Sequence, residues 1–445
     1  MAEINIKNRL ELMNILPSEA CGEVFTRADV ANKVLELLKA KPGVFSNPNY
    51  RFLDIYTKSG VFLLLIYSEL MQGLVEAIPD PEIRSQHILG KMIYGVSPSV
   101  ETALISRKTL YGDWSTQGNI KVITGYKNDT GKRTFSSISK EFNGMKFDVV
   151  IGNPPYNNDM YLDFVTLGDQ LATKYTCMIT PAKWQAKGGE KNEAFRKNIV
   201  PRMSDIVYYP NEKDVFDIHI LGGLTYFIVD KEQHDTKLVT NISDGKTTTD
   251  KISFLDGNII LDVKCACIVS KVLQSPGYSS ITKSRDFIPQ KSYFCNKQPS
   301  EILPDENGHF YLKNQTNFMK ISDSYIKHTE EARQYKVYCG YNVNPVPLAH
   351  IYEPNEVANR VSCLMGFGSL DKCNSIKSYY ETRFIWFLAY IASTGTICTD
   401  TFKWVPDPGN FDHIFTDKEL YDKYNLTPEE ISIIESVIKE RKQGE

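Results

Sequence analysis

Val149-Val150-Ile151-Gly152-Asn153-Pro154-Pro155-Tyr156 is an apolar run that stops abruptly in a rigid turn. A short apolar run bounded by turn residues predicts a buried strand, and two successive prolines, which have no backbone N–H to offer a ladder, end it. The turn sets an amide, two stiff rings and an aromatic side chain at the lip of a sheet. An amine attached to an aromatic ring is a poor nucleophile because its lone pair is delocalised. A site can help by accepting hydrogen bonds from both amine hydrogens, and the Asn153 side-chain oxygen and the Pro154 carbonyl are suitable acceptors. Tyr156 can stack on the ring and hold it flat. The tetrapeptide points to a clamp for a planar amine or amide.

The flanking sequence alternates strands and helices. Val30, Val34, Leu37 and Leu38 give a helix over 28–39, stopped by Pro42-Gly43. Arg51 to Tyr56 predicts a strand, Ser59-Gly60 a turn, and Val61 to about Leu74 a helix. Further strands are expected at 91–96, 119–124, 147–151, 176–180, 206–209 and 224–229, with helices over 99–110 and 159–172. This alternation predicts an open α/β sheet, in which ligands bind at the carboxyl ends of the strands. Residues 231–250 are polar and charged, which predicts a surface hairpin or linker and a domain boundary near 235. The domains are then 1–235 and 236–445. The second domain reads as α+β: short aromatic segments separated by turns, a helix over 378–393, and a last helix opened by Thr427-Pro428-Glu429-Glu430, whose Thr427 and Glu430 suit a capping box.

A chain of 445 residues, 42% hydrophobic, has ample core for two domains. The net charge of −3 by itself gives no support for a nucleic-acid partner, although local basic patches can carry phosphate contacts in a protein that is acidic overall. The nine cysteines follow no metal-ligand spacing, so free thiols and no metal are expected. No run of 18 apolar residues predicts a membrane span. Met1 to Asn5 lacks the basic and apolar regions of a secretion signal, so a cytoplasmic location is expected.

Several residues could serve the clamp. Asp54, closing the first strand, can fix an ammonium or hydroxyl of a cofactor, and Ser59-Gly60 lets backbone approach closely. Phe25 and Thr26 precede the first helix, where they can cap it or cover a cofactor. Phe216, in a loop before Gly222-Gly223, can sandwich a planar group from the face opposite Tyr156. His219 suits a structural or phosphate-contacting role better than a metal site. In the second domain Lys283, Arg285, Lys291 and Lys297 lie among Phe287, Tyr293 and Phe294, either as a DNA contact or as a solvated face.

These motifs, in this order, resemble the adenine-N6 DNA methyltransferases of type II restriction–modification systems in their gamma arrangement. Asn153-Pro154-Pro155-Tyr156 is similar to that family's catalytic motif. Phe25-Thr26 resembles its N-terminal cofactor motif, with Arg27 in place of proline. Asp54, Ser59, Gly60, Phe62 and Leu63 match its glycine-containing cofactor motif, and Gly222 to Phe227 resembles the segment after the stacking aromatic. The resemblance implies a Rossmann-like class I methyltransferase sheet, S-adenosylmethionine as cofactor, a C-terminal target-recognition domain, double-stranded DNA as partner, and a possible restriction endonuclease beside it. Two positions depart from the pattern. Lys58 replaces a glycine next to the cofactor's methionine part. Ser97 replaces the acid that binds the ribose hydroxyls, which leaves Glu101 as the substitute. RNA adenine, protein glutamine, and a DNA-binding specificity subunit on an inactive core stay open as alternatives.

Overall fold

The computed structural model describes residues 19–20, 23–123, 138–185, 189–216, 220, 222–243, 245–254, 259–285, 287–288, 293–295, 297, 301–313, 318–339, 349–358, 363–392 and 399–438. Contacts divide the chain into two units, Met1–Val263 and Lys264–Glu445.

The first unit is built on a nine-stranded sheet. Its strands are β1 (Phe52–Asp54), β2 (Ile93–Ser97), β3 (Ile120–Val122), β4 (Phe147–Gly152), β5 (Ala172–Pro181), β6 (Met203–Tyr209), β7 (Leu224–Val229), β8 (Thr236–Ser243) and β9 (Lys246–Ser253). The spatial order is β9-β8-β6-β7-β5-β4-β1-β2-β3. From β3 to β5 every pairing is parallel, and β7 is then inserted antiparallel between β5 and β6. This is the core sheet of a class I methyltransferase, with two strands added at the β6 edge.

Side-chain alternation explains the layering. In β4 and β5, Val149, Ile151, Cys177 and Ile179 face one apolar layer, packed with helices α1 (Ala28–Lys39), α2 (Val61–Gly73) and α3 (Val100–Tyr111). Val150 and Met178 face the other, packed with α4 (Met160–Leu171) and Phe195 of α5 (Glu190–Asn198). Helix α2 opens with seven consecutive buried residues, Val61 to Tyr67, as a helix that is apolar all round must. The strand expected from Lys91 starts at Ile93, because Ile88–Met92 forms a π-helical turn.

The polar stretch after Asp230 is a hairpin, and it belongs to the sheet. β8 runs parallel to β6, and β9 closes the edge antiparallel to β8. The Asn241 amide donates to the Leu261 carbonyl at 2.8 Å and accepts from the Val263 N–H at 2.6 Å, which ties the chain to this sheet as far as Val263. The structural division therefore falls 263 residues in, beyond the boundary near 235 drawn from composition.

The second unit is α+β. One sheet, β11-β10-β14, contains β10 (Phe310–Lys313), β11 (Phe318–Ile321) and β14 (Glu356–Val357); the other, β13-β12-β15, contains β12 (Tyr335–Cys339), β13 (Ala349–Tyr352) and β15 (Cys363–Gly368). The single helix expected over 378–393 is two, α6 (Leu370–Tyr380) and α7 (Arg383–Ala392). The last helix runs Pro428–Val437 with the expected capping box between Thr427 and Glu430. The cysteines described are free thiols.

Candidate active site

β1, β2 and β4 all run the same way, so Asp54, Ser97 and Gly152 end at one edge of the sheet, and Asp54 sits in register with Gly95 and Ile151. The strand order reverses between β1 and β4, which is where open α/β sheets form their ligand crevice.

Asn153 follows β4 directly and is buried. Its Nδ2 donates to Thr26 Oγ1 at 3.0 Å, and its Oδ1 accepts the Tyr156 hydroxyl at 2.7 Å. The amide is thereby held at both ends, with one lone pair of Oδ1 left over. Thr26 does not cap α1: the N-cap position is Arg27, without a side-chain cap bond. Tyr156 packs against both apolar layers, and burial pushes its phenol well above the usual range.

Asp54 is 2% exposed. Burial pushes its carboxyl up to about 7, against the opposing pull of the Tyr56 N–H, the Thr57 hydroxyl and the Lys58 charge. Desolvation outweighs all three, which holds the carboxyl above its ordinary value. Gly152 stands beside it: a Cβ there would lie 3.1 Å from Ile55 Cγ2 and 3.5 Å from Asp54 Oδ1.

The turn after Asp54 is bound into the sheet on all sides. The Thr57 N–H donates to the Val96 carbonyl at 2.8 Å. Ser97 Oγ donates to the Thr57 carbonyl, Thr57 Oγ1 bonds Ser106 Oγ, and Ser106 Oγ bonds the Lys58 carbonyl, each at 3.1 Å. Ser59 Oγ accepts from Val61 N at 3.4 Å. Gly60 then adopts φ 78°, and a Cβ on it would stand 2.9 Å from Ser106 Cα; glycine is required both by conformation and by space. Thr57 and Ser106 were not legible as site residues: Thr57 falls in the middle of the cofactor motif, where the sequence does not match, and Ser106 lies outside any motif. Lys58 is buried, its ammonium 5.3 Å from the centre of the Tyr56 ring and 5.8 Å from that of Phe25.

The other expected residues are placed less directly. Ser97 is fully buried and also bonds Thr102 Oγ1 at 2.7 Å, so it latches β2 to α3. Glu101 is exposed in the first turn of α3, where its own N–H and Ser99 lower its carboxyl. Phe216 is 2% exposed in the apolar layer with Val215, Ile220 and Leu224; it offers no open face to a base in this conformation, and stacking requires its ring to move out of the core. His219 and Lys291 lie outside the described residues. Lys283, Arg285 and Lys297 are exposed in the second unit, whereas Phe287 and Phe294 are buried there, Phe287 edge-on to Phe402. Those two rings serve a core and not a stacking surface. Among the described residues no His, Cys, Asp and Glu cluster could hold a metal, and no helix is long and apolar enough to cross a membrane.

The sheet order is that of a class I methyltransferase core, and part of the chain is similar to the methylases of restriction–modification systems. More particularly, residues 91–159 and 156–216 match the family model described as Eco57I restriction-modification methylase. A relative in Mycoplasma pneumoniae, called an uncharacterized adenine-specific methylase, is 25% identical over 331 residues, covering 57% of this chain and 78% of its own. Among solved structures, the M protein of the type I restriction enzyme EcoKI aligns at TM-score 0.38 and 14% identity, over 52% of this chain and 49% of its own. DrdV in complex with DNA aligns at TM-score 0.47 and 12% identity, over 81% of this chain and 51% of its own. The chain thus spans about half the length of these two solved structures.

Proposed function

We propose that this protein is a site-specific DNA methyltransferase that places a methyl group on N6 of an adenine flipped out of duplex DNA, within a restriction–modification or related defence system. The second unit is assigned to target recognition. The observation that carries the reading is the Asn153 amide, buried at the sheet edge and fixed between Thr26 and Tyr156.

S-adenosylmethionine, when bound, supplies an electrophilic methyl on a positively charged sulfur. The residues present suit its cationic methionine end: Asp54 is a buried carboxylate at the strand end, Gly152 leaves room beside it, and Phe25 is half-buried close by Lys58. Asn153 Oδ1 and the Pro154 carbonyl accept the two amine hydrogens of the base and turn the nitrogen lone pair outward. Neither Pro154 nor Pro155 has an N–H to compete as a donor. The amine sheds one proton to solvent after transfer, and no covalent enzyme intermediate is required. Positioning carries most of the rate.

Incubation with methyl-labelled S-adenosylmethionine and mixed duplex DNA, followed by base analysis, is expected to give N6-methyladenine at one sequence motif. Asn153→Ala should lower turnover by about 100-fold or more while sparing cofactor binding, the scale for removing one preorganised polar group. Label found only in RNA or protein would overturn the substrate, and equal loss of binding and turnover would overturn the role of Asn153.

A further inference from the structure

Lys58 stands in the middle of the proposed cofactor site, and its side chain turns inward. A lysine on a turn normally extends its ammonium into water, yet this residue is 7% exposed. Its charge lies within reach of two aromatic faces, at 5.3 Å from Tyr56 and 5.8 Å from Phe25, both inside the range of cation–π attraction. The Lys58 charge also reaches the buried Asp54 carboxyl, lowering it against the stronger effect of burial. Two aromatic faces and a buried carboxylate make a seat for one organic cation. The backbone of Lys58 is pinned, because Ser106 Oγ bonds its carbonyl at 3.1 Å, so the side chain alone can leave.

We infer that Phe25, Tyr56 and Asp54 form a cation pocket and that Lys58 is its tethered occupant, standing where the positively charged methionine end of the cofactor must sit. The inference rests on the methyltransferase reading and deepens it. Two cations cannot share the seat, since like charges a few ångströms apart in a poorly solvated site repel strongly. The cofactor binds only when the lysine stem swings out, and the free energy of extracting Lys58 is subtracted from its affinity. Lys58 therefore determines how well the site distinguishes a charged ligand from a neutral adenosine thioether.

The test is calorimetric titration of the full chain with S-adenosylmethionine and with methylthioadenosine, which shares the adenosine and sulfur but carries no charge. Lys58→Gln and Lys58→Met should each tighten S-adenosylmethionine binding about tenfold, the equivalent of a partly desolvated cation–π contact, and leave methylthioadenosine unchanged. Lys58→Arg keeps the cation and should keep the wild-type affinity. Weaker S-adenosylmethionine binding in the neutral variants would overturn the inference by showing that Lys58 holds the cofactor's carboxylate. Equal tightening of both ligands would overturn it by showing that only bulk was relieved. Absence of S-adenosylmethionine binding in wild type and all variants, with methylthioadenosine also unbound, would instead overturn the methyltransferase reading itself.

Discussion

Asn153 and Asp54 occupy the same edge of the sheet but differ in their relation to stability. Asn153 is satisfied at both ends by neutral partners, so the free protein holds it without strain. Asp54 is held up to about 7 by burial, so its ionised form opposes folding. With a folded value above the unfolded one, the protein binds more protons when folded between about pH 4 and 7, and stability falls as pH rises through that window. Asp54→Asn is expected to raise the melting temperature at pH 8, with the gain shrinking toward pH 4, while cofactor binding is lost. Melting curves across that range check the sign; a gain that grew on acidification would refute it. The positions of both residues were legible because each closes an apolar run at a strand end. The roles of Ser97 and Phe216 were not. Ser97 looks like a missing ligand until its bonds to Thr57 and Thr102 are seen, and Phe216 is absorbed by Val215, Ile220 and Leu224, contacts that no local pattern announces.

At the level of elements, the expected strands and helices of the first unit lie within about four residues of the observed ones, whereas the short polar helices Pro81–His87 and Glu190–Asn198 carry too little apolar pattern to be read, and β8 and β9 read only as a hairpin or linker. The errors came where distant groups decide a boundary. The helix expected over 378–393 breaks because Thr382 Oγ1 turns back to the Tyr379 carbonyl at 2.8 Å and Asp417 accepts the Phe384 N–H at 3.0 Å, restarting the helix from a segment 33 residues away. The start of α2 shows the opposite case, a local requirement that is strict. Gly60→Ala must hold φ 78° and push its methyl against Ser106 Cα. Such a left-handed residue costs about 1–3 kcal/mol, and the displaced turn carries Lys58 and Ser59 with it. Denaturant titration should show that loss together with weakened cofactor binding; an unchanged midpoint would mean that α3 yields without cost.

For the whole molecule, the revised division at Val263 makes a prediction about fragments. β8 covers the outer edge of β6, and Asn241 fastens the segment through Leu261 and Val263. A fragment of residues 1–263 is expected to fold and melt cooperatively, whereas residues 1–235 would leave β6 as a bare edge and self-associate. Size-exclusion chromatography of both separates the cases, and a monomeric 1–235 fragment would return the boundary to its compositional position. Composition misplaced it because the outer strand is polar apart from Ile252: Lys246, Thr247, Thr249, Asp250 and Lys251 are exposed, so β9 reads like a linker although it is fully paired with β8. That plainness has a use. With little apolar area to bury and charges along its length, β9 gives an approaching chain hydrogen-bonding groups but almost no hydrophobic gain, so the sheet ends in a fence that discourages fibre growth from its own open side.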